Sequence, residues 1–153
     1  MLKDIKQTDS GLLPTIRKYG CLFLCFAHAS PFVFEGADGI MLLNSVWRIA
    51  LETGIISGDL NEDGDTDDAL EAEVQNHVEL ALLLGMRIRY DGKRHSPDEV
   101  IPVNVKFAIG CFEWKGIHFV NIDRNKRVTH DPYGESNTVR NGCLKNTRWY
   151  YAD

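Results

Sequence analysis

The sequence predicts an α+β fold, in which N-terminal helices pack on an antiparallel sheet built from the second half of the chain. Before Gly85, apolar residues recur at the three- and four-residue spacing of helices. After Gly85, segments rich in β-branched and aromatic residues alternate with turn residues. A length of 153 residues suits one domain, so we expect a single domain over 1–153 with an acidic excursion at 57–71.

Three helices are predicted in the first half of the chain. Residues Cys21–Ala29 are apolar on every side, which is typical of a buried helix. A second helix begins near Asp38 and ends near Gly54, and its apolar stripe consists of Ile40, Leu43, Trp47 and Ala50. A third is expected over 68–84, with Gly85 as its C-terminal stop. Its stripe consists of Leu70, Val74, Val78 and Leu82.

Five strands are predicted in the second half. They are expected at 86–90, 103–114, Ile117–Ile122, 127–130 and 147–151. Lys115 and Gly116 form a tight turn that makes the second and third strands a hairpin.

Composition and charge exclude several functional classes. The chain is 44% hydrophobic and 25% charged, as in ordinary globular domains. No apolar run reaches the roughly 18 residues of a membrane helix, and the N-terminus has no signal-peptide pattern. We therefore expect a cytoplasmic protein with no membrane partner. Lys and Arg are not clustered with aromatic residues, so no nucleic-acid partner is expected either.

Three residues could together perform covalent catalysis. Cys21 opens the buried helix, where unpaired backbone N–H groups and the helix dipole lower a thiol pKa. Gly20 before it would leave room for a substrate backbone. His118 lies in an apolar strand, and Asp131 ends the following strand. If these strands are neighbours, Asp131 can orient the imidazole of His118, giving a nucleophile, a general base and an orienting carboxylate.

Each of these residues also has a structural interpretation. A cysteine in an apolar helix is commonly a small core residue, and a histidine in a strand is commonly a hydrogen-bonded core residue. An aspartate before proline is a common turn starter. Four cysteines without an export signal are expected to be free thiols, and none forms a C-x-x-C pair that would indicate zinc. They are Cys21, Cys25, Cys111 and Cys143.

The motifs around these residues resemble those of the papain-like cysteine peptidase fold, most closely the bacteriocin-processing (double-glycine) peptidases and their small bacterial and phage relatives. The motifs are Tyr19-Gly20-Cys21, Gly116-Ile117-His118-Phe119-Val120 and His130-Asp131-Pro132. The resemblance implies a Cys21–His118–Asp131 triad, no required cofactor, and a peptide or protein substrate. It covers about residues 19–133.

The chain departs from that family beside the nucleophile. The family usually has a glutamine six residues before the cysteine, where it donates a hydrogen bond to the oxyanion, and a glycine directly after the cysteine. Here Thr15 and Leu22 occupy those positions, and Gln7 is the nearest glutamine. Thr15 and Arg17 are the candidate replacement donors, and Arg17 could also favour the Cys21 thiolate. Alternatively, Arg17 is an ordinary surface arginine.

An acidic loop at 59–67 matches the opening of a calcium loop, with oxygen ligands at alternate positions and glycine at the turn. The predicted ligands are Asp59, Asn61, Asp63 and Asp65. The match fails at the twelfth position, where Leu70 replaces the expected glutamate. The sequence therefore allows either a structural Ca²⁺ site or a solvated acidic turn that caps the third helix through Asp67 or Asp68.

The sequence thus predicts a cysteine peptidase or amidase-like hydrolase with a Cys–His–Asp triad. Two alternatives from other classes remain open. One is a catalytically inactive papain-like protein that binds a peptide or a partner protein. The other is a calcium-responsive interaction module that acts through the acidic loop.

Overall fold

The computed structural model describes residues 1–57 and 73–153. The helices in these ranges are α1 (Pro14–Tyr19), α2 (Cys21–Ala29), α3 (Gly36–Glu52), α4 (His77–Leu83) and α5 (Asn137–Asn141). The strands are β1 (Leu2–Lys3), β2 (Phe34–Glu35), β3 (Ile88–Tyr90), β4 (Val105–Glu113), β5 (Ile117–Ile122), β6 (Val128–His130) and β7 (Cys143–Ala152). None of the helices in the described ranges is long and apolar enough to cross a membrane.

The main sheet has five strands in the order β3-β7-β4-β5-β6, and every neighbouring pair is antiparallel. The hairpin between β4 and β5 turns at Lys115 and Gly116, which both have positive φ angles. Its register pairs Phe112 with His118. Because β6 lies beside β5, the residue that follows β6 is carried close to His118. A separate short parallel pair joins β1 to β2.

Helix α2 is the centre of the main core. Residues 22–27 are all buried, and the helix packs against β5. Phe23 of α2 meets Trp47 of α3 edge to face, with ring centroids 5.1 Å apart. The Asn121 side chain of β5 donates a hydrogen bond to the Cys25 carbonyl at 3.0 Å. Both groups are buried, where a polar group needs a hydrogen-bond partner. The hydrogen bond therefore holds α2 against the sheet.

The structure confirms the α+β class, with N-terminal helices packed with a five-stranded antiparallel sheet. It also confirms the helix Cys21–Ala29 and the strand Ile117–Ile122. In α3, the predicted core positions Leu43, Trp47 and Ala50 are buried. Strand β7 begins at residue 143, four residues before the predicted start, because its polar first half also pairs with β4.

The third predicted helix is wrong in its start and its buried face. The described part is α4, which begins at His77, while Val74 instead forms a bridge with Ile56. The N-cap of α4 is Asn76, whose side chain accepts the Glu79 N–H at 3.0 Å, and the predicted caps Asp67 and Asp68 lie outside the described residues. The predicted apolar stripe assumed one helix that continues through residue 74. The stripe does not lie on the buried face of the observed helix, and Leu82 is 45% exposed. The buried residues of α4 are Leu80 and Ala81.

Gly20 has a different role from the one predicted. A Cβ added at Gly20 would lie 2.5 Å from the Ile16 carbonyl oxygen and 2.8 Å from its Cγ2. The missing side chain therefore lets α1 pack closely against the start of α2, and it does not open space for a substrate.

We expect Gly20→Ala to lower the free energy of unfolding by about 1 to 3 kcal/mol, because the added methyl group meets backbone atoms that cannot move away cheaply. Chemical denaturation measures the loss. Gly11→Ala is the matched control, since the nearest atoms to its Cβ would all belong to side chains, the closest being Ile40 Cγ2 at 3.1 Å, and none to the backbone. Equal losses in the two variants would contradict this explanation of Gly20.

Candidate functional site

The thiol of Cys21 lies at the first position of α2, directly after its N-cap Gly20. The first backbone hydrogen bond of α2 runs from the Leu24 N–H to the Gly20 carbonyl at 2.8 Å. Among the described residues, no side chain caps this end and no backbone carbonyl accepts the N–H groups of residues 21–23. Three unpaired N–H donors therefore surround the thiol, where they favour negative charge.

His118 is buried in β5, with 3% of its surface exposed. Its Nε2 lies 2.7 Å from Oδ1 of Asp131. The ring also stacks on Tyr133, with centroids 4.7 Å apart. Because Asp131 occupies Nε2, the other ring nitrogen, Nδ1, is left for the Cys21 thiol.

Asp131 follows β6 and is held by the turn that begins there. Its Oδ1 accepts the Tyr133 N–H at 2.9 Å, and its Oδ2 accepts the Ser136 N–H at 3.2 Å. Burial acts to raise the pKa of Asp131, but the hydrogen bonds from His118, Ser136 and Tyr133 outweigh burial and lower the pKa. The carboxylate is therefore ionised at neutral pH.

The pKa of His118 is raised from its ordinary value of 6.5 to about 9. Burial, the largest single influence, lowers this pKa, and it is outweighed by hydrogen bonds to Asp131 and Cys21 and by the charges of both groups. His118 is therefore an imidazolium at pH 7, paired with the Asp131 carboxylate. Since this pKa is raised on folding, the stabilisation that it provides is complete below about pH 6.5 and is lost as the pH rises through about 9.

The other perturbed histidines shift in the opposite direction. Burial, followed by the charge of His28, lowers the pKa of His130 to about 4. Burial lowers the pKa of His77 to about 4 as well, and it also lowers the pKa of His28. These three rings are neutral at pH 7. His118 is the group poised to exchange a proton with a thiol.

Two further thiols near the site are held in the protonated form. Burial, followed by the charges of Cys21 and Asp131, raises the pKa of Cys25 well above its ordinary range. Burial likewise raises the pKa of Cys111. Cys143 is exposed on the surface. All four thiols are free, and Cys21 is the one whose interaction with His118 raises the pKa of that ring.

Among the described residues, neither candidate oxyanion side chain makes a hydrogen bond to Cys21, His118 or Asp131. The Thr15 hydroxyl accepts the Trp47 indole N–H at 2.9 Å, which directs it toward α3. Arg17 is exposed, and its side chain makes no hydrogen bond or ion pair with another described residue. Arg17 thus matches the alternative of a surface arginine, and the unpaired N–H group of Cys21 is the better-placed donor.

The predicted calcium ligands Asp59, Asn61, Asp63 and Asp65 lie outside the described residues, so that site stays a prediction. Within the described ranges, no group of three or more His, Cys, Asp or Glu side chains is arranged to hold a metal ion.

Gln7 is a site residue that the sequence analysis missed. It is 1% exposed, and its Nε2 donates to the carbonyls of Ile16 at 3.2 Å and Arg17 at 3.1 Å. Its backbone N–H donates to the Pro132 carbonyl at 2.7 Å. In a continuous helix the Arg17 carbonyl would accept the Cys21 N–H. Gln7 thus ties the Asp131 turn to the end of α1, beside the break at which the Cys21 N–H is unpaired.

No protein-family model, curated protein or solved structure matches the chain.

We expect Gln7→Leu to slow alkylation of Cys21 by iodoacetamide at pH 7 about tenfold, because the leucine frees the Arg17 carbonyl to accept the Cys21 N–H. Mass spectrometry of the labelled peptides measures the rate. The control is Asn44→Leu, which also removes amide hydrogen bonds in the N-terminal region, to Leu13 and Gly11, but contacts neither α2 nor the Asp131 turn. An unchanged Cys21 rate in folded Gln7→Leu would contradict the assignment.

Proposed function

We propose that the protein is a cysteine hydrolase of the papain-like type that cleaves a peptide or amide bond through a thioester on Cys21. The observation that carries this proposal is the buried His118 ring, which is bonded to Asp131 through one nitrogen and interacts with the Cys21 thiol. A thiol at a helix start, a raised histidine pKa and an ionised buried aspartate form one connected chain of groups. Such perturbed groups cluster at functional sites.

Each residue has a distinct part in the proposed reaction. Cys21 reacts as a thiolate that has already given its proton to His118, so the ring is an imidazolium when the sulfur attacks the carbonyl carbon of the scissile bond. The Cys21 N–H stabilises the oxyanion as it forms. His118 then gives its proton to the leaving amine, and the C–N bond breaks to leave a thioester.

Hydrolysis of the thioester uses the same groups in reverse. His118 accepts a proton from water, the resulting hydroxide attacks the thioester carbonyl, and the C–S bond breaks. Asp131 holds the ring so that the nitrogen facing Cys21 exchanges the proton, and it stabilises the imidazolium. The substrate class that fits is a peptide or protein, since the reacting carbonyl needs only the thiolate and the oxyanion donor.

We expect a thiol-directed electrophile at pH 6 to label Cys21 at least ten times faster than Cys143, because an ordinary thiol is almost entirely protonated at that pH. His118→Asn is expected to bring the Cys21 rate close to that of Cys143. Peptide mapping after timed labelling measures both rates in the same sample.

A matched turnover assay separates a reactive thiol from an enzyme. Fluorogenic peptide amides are expected to be cleaved by the unaltered chain and not by Cys21→Ser or His118→Asn. Labelling of Cys21 no faster than Cys143 would contradict the hydrolase. It would favour the alternative of a catalytically inactive papain-like protein that binds a peptide.

A further inference from the structure

A cavity of about 560 Å³ lies beside the start of α4. The polar and charged residues of its wall include Glu73, Asn76, Tyr90, Arg94 and Arg148. None of the proposed catalytic residues lines it. A ligand site in this cavity would therefore be separate from the proposed triad, and it would not depend on the proposed hydrolase activity.

Arg148 is the unusual residue of this cavity. It lies on β7 with 8% of its surface exposed, and its guanidinium group stacks over the Phe119 ring at 4.7 Å. Within the described residues, no carboxylate lies within ion-pair distance of it, and its buried Nε has no hydrogen-bond acceptor. A buried charge normally has a partner, because leaving water without one is costly.

The other charged and titratable groups of the wall leave this positive charge unbalanced. Arg94 adds a second positive charge at the exposed side of the cavity. Glu73 is the one acid among the lining residues, and it makes no ion pair with either arginine. His77 is neutral at pH 7, since burial and then Arg148 lower its pKa to about 4.

Two further residues of the wall, Tyr90 and Asn76, offer hydrogen-bond donors. Burial, the largest influence, raises the pKa of Tyr90, so its phenol keeps its proton. Asn76 uses its side-chain oxygen to cap α4, which leaves its amide N–H₂ free to donate. The Tyr90 ring stacks on His77 with centroids 4.3 Å apart and forms a flat apolar side to the cavity.

We propose that this cavity binds the carboxylate or phosphate group of a small ligand, with Arg148 as the principal donor and Arg94 as the second. The guanidinium group presents paired N–H donors that match the two oxygens of such an anion. The anion would supply the missing charge and would be held by the terminal N–H₂ groups of Arg148, because Nε itself is buried. Tyr90 and Asn76 would donate to its remaining oxygens.

Isothermal titration with inorganic phosphate and, in a parallel arm, with acetate tests this proposal at constant ionic strength set by chloride. We expect saturable binding of at least one of the two anions, with a rise in the melting temperature that chloride does not produce. The arm that binds distinguishes phosphate from carboxylate as the group preferred.

Arg148→Met is expected to abolish binding, and Arg94→Gln to weaken it about tenfold. Arg124→Met is the matched control, because Arg124 is an exposed arginine away from the cavity, and it should bind as the unaltered chain does. Circular dichroism checks that each variant folds, and Arg94→Gln provides the test if Arg148→Met does not. The proposal is overturned if phosphate and acetate have no more effect than chloride. It is also overturned if folded Arg148→Met binds the anion fully. Where Arg148→Met does not fold, full binding by folded Arg94→Gln overturns it instead.

Discussion

The hydrogen bond between His118 and Asp131 determines the charge state of the whole candidate site. Burial alone would lower the pKa of His118, as it does for His77 and His130, and without the carboxylate only Cys21 would oppose burial. With it, the pKa rises to about 9, and the ring can hold a proton beside a thiolate. The bond depends on the sheet order, since only the pairing of β5 with β6 carries Asp131 to this ring.

The nucleophile depends on a second constraint, the break between α1 and α2. Gly20 lets the two helices meet closely, and Gln7 occupies the carbonyl that would otherwise accept the Cys21 N–H. Gln7 also binds the Pro132 carbonyl, so one buried side chain and its backbone join the thiol end and the carboxylate end of the site. Asn121 adds a contact between β5 and α2 at Cys25. Shifts of α2 relative to the sheet would break these bonds.

Local signals made part of this arrangement predictable from the sequence. Cys21 stands after a glycine at the start of an apolar run, and His118 stands inside an apolar strand, so both positions follow from neighbouring residues. The roles of Gln7 and Thr15 depend on residues far along the chain, Pro132 and Trp47, and no short pattern reveals them. Helix α4 was misplaced because the bridge between Ile56 and Val74 overrides an apolar spacing that suits a helix.

The charge of His118 tests the central claim most directly. A ¹⁵N NMR titration of the His118 ring, assigned by its loss in His118→Asn, reports the protonation of both nitrogens. The account predicts an imidazolium at pH 7 that loses its proton near pH 9, and a lower midpoint in Asp131→Asn, where burial is opposed only by Cys21. A His118 ring in the unaltered chain that is already neutral at pH 7 would contradict the account.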